Sequence, residues 1–89
     1  MLTVLSNEIL QDEIAVSVAK VLASANRKAK ELGVDVQTSL ITVSQHLAKG
    51  VWLWRVSYGA RDYVGRRGGD LMIDIDPANA DIKQILRGQ

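Results

Sequence analysis

Three groups of side chains in this sequence have the types and spacing that could do chemistry. The first is the stretch from Gly59 to Asp70, where Arg61, Arg66 and Arg67 stand among Gly59, Gly65, Gly68 and Gly69, with Tyr63 between them. Glycines let backbone N–H groups approach an anion, arginine forks grip a carboxylate or phosphate through two bonds, and a tyrosine can stack. The Gly-Lys-Ser/Thr signature of a phosphate-binding loop is missing, and an alternating run follows where that loop needs a helix. Asp62 and Asp70 lie close by in sequence, so pairing within the segment competes with recognition. Arg61, Tyr63, Arg66, Arg67 and Asp70 are therefore the expected partner-binding residues, with an acidic protein ahead of nucleic acid as the partner.

The second group is acidic: Asp70, Asp74 and Asp76, with Asn79 and Asp81. Asp74 and Asp76 fall on the same side of a strand, near enough to share a hard cation. The calcium-loop pattern fails, because Ala78 and Asn79 occupy the positions of a ligand and of the turn glycine, and Ile85 that of the final glutamate. Two solvent-facing aspartates before a turn is the preferred reading, and no metal or cofactor is expected. The third candidate is His46, the only histidine and hence the only side chain suited to act as base for a serine nucleophile. It falls on the polar face of a strand, without a Gly-x-Ser-x-Gly turn or any cysteine, so no catalytic residue is expected.

These residues have to be held by a small set of elements. From Glu8 to Leu32 the residues Leu10, Ile14, Val18, Val21, Ala25, Ala29 and Leu32 recur at steps of four and three, which is one face of a helix about 37 Å long. Ser6 or Asn7 can cap its start, and Glu8, Asp12 and Glu13 suit the positive end of its dipole. Arg27, Lys28 and Lys30 suit the other end, where Gly33 can stop the helix in the left-handed conformation. Ala15, Ala19 and Ala23 form a second row whose small side chains would let a sheet approach closely.

After Gly33 the period shortens to two. Gln37 to Leu47 reads as a strand with Ile41, Val43 and Leu47 on one face and Thr38, Thr42, Ser44 and His46 on the other, where Leu40 is the exception. A turn at Ala48, Lys49 and Gly50 leads to Val51–Tyr58. There Trp52, Trp54, Val56 and Tyr58 make the expected core face, and Leu53 points away from it. Leu71, Ile73 and Ile75 alternate with Met72, Asp74 and Asp76, then Pro77, Ala78 and Asn79 turn the chain into a last strand from about Ile82 to Arg87. The fold class is α+β, a long N-terminal helix packed on a four-stranded antiparallel sheet in the order α-β-β-β-β. Leu40, Leu53 and Met72 form an apolar set on the outer sheet face, suited to a protein partner or a second copy of the chain.

Composition narrows the classes further. A chain of 89 residues supports one core, so residues 1–89 read as a single domain. Eleven basic residues against ten acidic ones are too balanced for wholesale attraction to nucleic acid or membrane, which makes any electrostatic recognition local. The absence of cysteine excludes disulfides and thiolate metal sites. No basic leader precedes an apolar run and none approaches the length of a membrane span, so a cytoplasmic location is expected.

The segments GVWLWRV, RRGGDLMIDID and IKQILRGQ, from Gly50 to Gln89, resemble the C-terminal part of two families. One comprises bacterial immunity proteins of nuclear-transport-factor-like fold, which combine a Trp-x-Val strand, a Gly-Gly, an isoleucine-rich strand and a terminal Gly-Lys or Gly-Gln. The other is the PepSY family of helix-then-sheet modules, associated with protease inhibition. Both families commonly carry a glycine between the last two strands, where this chain has Pro77, Ala78, Asn79 and Ala80. The resemblance implies a cystatin-like arrangement, a helix gripped by a curved antiparallel sheet, and a role in inhibiting or neutralising a partner. The resulting expectation is a non-catalytic protein-binding module. Its competitors are a small-ligand or enzymatic cavity between helix and sheet, and a nucleic-acid binder using the arginine segment.

Overall fold

The computed structural model describes residues 7–60 and 70–87. A short helix α1 (Asn7–Gln11) precedes the main helix α2 (Glu13–Glu31), and a 3₁₀ turn at Val36–Thr38 leads into strands β1 (Ser39–Ala48), β2 (Val51–Ala60), β3 (Leu71–Ile75) and β4 (Ile82–Arg87). The strands form one antiparallel meander in the order β1-β2-β3-β4, with α2 packed across β2 and β3. The expected α+β architecture is therefore present, and β4 has the predicted bounds.

The helix is not continuous. Asp12 adopts an extended conformation and its carboxylate accepts from the Ala15 N–H at 3.0 Å, so it caps α2 instead of riding within one long helix. The same acidic side chain that favours the positive helix end also competes for free amides, and at Asp12 the cap prevails. At the far end Gly33, with φ of 89°, stops the helix as expected. Its N–H bonds to the Lys30 carbonyl and that of Val34 to the Ala29 carbonyl, the paired pattern of a glycine-terminated helix.

Of the apolar stripe only Val21, Ala25 and Ala29 are buried, against Val56, Tyr58, Leu71, Ile73 and Ile75, while Leu32 at its end is exposed. Ala25 and Ala29 permit the close approach to the sheet, whereas Ala19 and Ala23 of the second row face solvent and Ala15 is half-buried. Leu10 and Ile14 are exposed. Leu10 lies on α1, and for Ile14 the reason is length: α2 spans about 28 Å, while the five residues of β3 span about 17 Å, so the helix overhangs β3.

The hairpin of β1 and β2 overhangs too. Residues Trp54–Tyr58 of β2 pair with β3, but Val51 to Leu53 pair with β1 alone. Trp54 packs against the core, while Trp52, expected inside, is 56% exposed. Its side chain is on the predicted face, but lies beyond the reach of α2 and β3.

Candidate functional site

The sheet has two faces, and α2 covers one. On the other the strand registers line up successive rows of side chains. The central row crosses all four strands as Ser44, Arg55, Asp74 and Gln84, and the next as Thr42, Ser57, Met72 and Leu86. On the hairpin side His46 stands opposite Leu53, and toward the other end Leu40 stands opposite Gly59.

The central row holds an ion pair. Arg55 Nε donates to Asp74 Oδ1 at 2.7 Å and a terminal guanidinium nitrogen to Oδ2 at 3.0 Å, the two-bond geometry in which a fork meets a carboxylate. Asp74 is only 1% exposed, which corrects the expectation of a solvent-facing aspartate. A carboxylate removed from water needs such a partner, and Arg55 supplies it from the facing position on β2. The bond to Asp74 holds the Arg55 guanidinium above its ordinary pKa, against the opposing effect of its own burial. Leu53, Met72 and Leu86 are half-buried around this pair and Leu40 is exposed. The result is a mixed surface with a rigid polar centre and apolar flanks.

Arg55 was not singled out from sequence. The available signal was an arginine and an aspartate at outward-facing positions of adjacent strands, but it becomes legible only once β2 and β3 are set in register.

Of the expected partner-binding residues, Arg61, Tyr63, Arg66 and Arg67 lie outside the described residues. Asp70 is exposed immediately before β3. Its carboxylate sits against Gly59, where an added Cβ would meet Oδ1 at 3.0 Å, so glycine at 59 makes room for it. Together with Leu40, Thr42, Ser57 and Ala60 they border a hollow of about 250 Å³. The structure thus brings Asp70 to the same end of the outer face as Leu40, with Leu53 toward the opposite end and Met72 between.

The rest of the acidic cluster is divided among structural tasks. Asp76 accepts from the Ala78 N–H at 2.8 Å and lies 3.9 Å from Lys83, and Asn79 accepts from the Asp81 N–H at 2.9 Å. Among the described residues no three histidine, aspartate or glutamate side chains come together as a metal-binding group. His46 is half-buried on the outer face beside Leu53.

On the helix side, the cleft between α2 and the sheet is filled by core side chains. An open groove of about 320 Å³ lies at the margin, between the N-terminal half of α2 and the turn at residues 77–80. Leu10, Val16 and Val21 give it an apolar wall, with Glu13 and Lys20 beside them. Among the described residues no helix is long and apolar enough to cross a membrane. The chain matches no known family model, no curated protein and no solved structure.

Proposed function

We propose that this protein is a non-catalytic binding module that presents the outer sheet face, together with the segment from Arg61 to Asp70, to a protein partner. One observation carries the reading. Among the described residues the outer face has no second layer over it, yet it holds a buried two-bond ion pair flanked by Leu53, Met72 and Leu86, with exposed Leu40 farther along the face. Rigid polar centres within apolar surroundings suit recognition of a protein surface, because the pair is already ordered before binding and the flanks supply area to bury. Asp70 at one end of this face places the arginine segment next to it in sequence, and those arginines favour an acidic partner. Inhibition or neutralisation of that partner is the finer reading, supported by the likeness to immunity proteins and PepSY modules.

The marginal groove favours a second reading, a small-molecule site with Glu13, Ser17, Lys20 and Asn79 as its polar groups, but it is open to solvent where a ligand site encloses most of its ligand. Nucleic acid is the third, resting on the arginines alone.

The test places a photo-crosslinking residue at Leu53 or Met72 on the sheet face and, as control, at Ala19 on the solvent side of α2, in cells that make the protein. One protein should be captured from the sheet positions and not from Ala19, and Met72→Lys should abolish its capture while the circular dichroism stays unchanged. Replacing Arg61, Arg66 and Arg67 together by Ala should weaken binding, with the loss graded by salt because part of the attraction is screened. Capture from Ala19 alone, or salt-sensitive retention of nucleic acid by the unaltered protein, would overturn the reading.

A further inference from the structure

The two edges of the sheet differ in how they are guarded. β4 is six residues long, carries Lys83 and Arg87, and shows a register irregularity opposite Asp74 and Ile75. Short length, charge and bulges are the devices that keep an edge from pairing with another chain. β1 has none of them. Its ten residues, SLITVSQHLA, contain no lysine, arginine, acid or proline, its register with β2 is unbroken, and among the described strands it pairs on one side only.

The hairpin turn fixes which backbone groups point to the free side. Lys49 and Gly50 both have positive φ, 52° and 80°, the signature of a two-residue type I′ turn. In such a turn the flanking residues Ala48 and Val51 exchange backbone bonds, so Ala48, His46, Ser44, Thr42 and Leu40 bond toward β2. Ile41, Val43, Gln45 and Leu47 therefore aim their N–H and C=O groups outward. These four positions are symmetric about Ser44.

We propose that β1 pairs antiparallel with β1 of a second copy about a two-fold axis at Ser44, joining the two sheets into one of eight strands. This goes beyond the binding role of the outer face and uses the free edge of the sheet, with Leu40 the one apolar side chain common to both. In that register Ile41 faces Leu47 of the partner and Val43 faces its Gln45, giving about eight backbone hydrogen bonds. Leu47, 52% exposed in the single chain, gains an apolar neighbour, and Leu40, 46% exposed, meets the partner's Ala48. No formal charge on β1 opposes its own copy, and a two-fold antiparallel pair is self-complementary.

The test is sedimentation across dilution together with amide hydrogen exchange on the full chain. Dimerisation should slow exchange at Ile41, Val43, Gln45 and Leu47 as concentration rises, while Thr42, Ser44 and His46 stay protected throughout. Gln45→Pro removes an outward donor without touching the β1–β2 ladder, and should weaken the dimer about a hundredfold or more while leaving the monomer folded. Ser44→Glu and Ser44→Lys provide an independent check. Each alone should be monomeric because like charges meet at the axis, and an equimolar mixture should form the heterodimer. Met72→Lys, on the outer face, should leave dimerisation unchanged. The proposal is overturned by a monomer at millimolar concentration, by a dimer indifferent to these β1 variants, or by the four outward amides being protected at every dilution, which would mean the edge is already covered.

Discussion

The inner and outer faces of the same two strands bury their side chains by different means. On the inner face Val56 on β2 and Ile73 on β3 are directly opposed and fully buried under Val21, Ala25 and Ala29 of α2. One residue along, on the outer face, Arg55 and Asp74 are also opposed, and Asp74 is as hidden as the core. Apolar contact is non-directional and tolerates some loss of shape, whereas a carboxylate without water depends on one partner in one geometry. The inner face therefore accounts for most of the drive to fold. The outer face contributes a specific register of β2 against β3, because a slip of one residue would strand Asp74 without Arg55.

The largest expected effect follows from that dependence. Asp74→Ala should destabilise the protein by about 3 kcal/mol, the low end for breaking a buried pair, because the Arg55 side chain is 21% exposed and its freed charge can reach water. Replacing both partners, Arg55→Met with Asp74→Leu, should recover most of the loss, since two apolar side chains can fill the same space without a desolvation cost. Urea denaturation of the two variants measures both. If the double variant is as unstable as Asp74→Ala, the pair matters through something other than charge balance, and the contrast between the faces is wrong.

A second comparison separates two residues of the inner face. Trp54→Ala should cost about 2 to 3 kcal/mol, below the range for a fully buried ring, because Trp54 is half-buried against the core. Trp52→Ala should cost less than about 1 kcal/mol, since most of that ring is already in water. Equal losses at both positions would mean that the hairpin tip is covered in solution.

These examples show what the sequence could carry. Period and turn chemistry were enough for the helix stop at Gly33, the four strands, their meander order and the side of β2 that faces the helix. Alternation assigns a face but not how far a covering element reaches, so the exposure of Trp52 and Ile14 had to wait for the relative lengths of α2 and β3. Asp12 illustrates a different gap: an acid near the positive end of a helix and an acid that starts a new one have the same signature. At the candidate site, the apolar set Leu40, Leu53 and Met72 could be placed on the outer face from alternation alone. The ion pair at its centre could not, because Arg55 and Asp74 are 19 residues apart and meet only through the strand register.

Another small effect concerns the polar group that the inner face does bury. Tyr58 is 2% exposed, and its hydroxyl donates to Asn26 Oδ1 at 2.6 Å, tying the C-terminal half of α2 to β2. Tyr58→Phe should cost about 1 kcal/mol, the net value of one such hydrogen bond, since half-buried Asn26 can turn to solvent. The hydroxyl also sets a limit at high pH. Burial pushes its pKa from 10 up to about 12, because the phenolate would lose its hydration. Between those values the unfolded chain releases its proton while the folded one retains it. The unfolded state is thereby favoured, and stability should fall as pH rises from about 10 to 12. Below pH 10 both states are protonated and this contribution is level. Unfolding midpoints across that interval should therefore drop more steeply for the unaltered protein than for Tyr58→Phe, and the two curves should cross before pH 12, because the loss over the interval exceeds the roughly 1 kcal/mol of the hydrogen bond. Parallel curves would show that Tyr58 ionises as freely in the folded protein as in the unfolded chain, and that the end of the core nearest Asn26 is open to water.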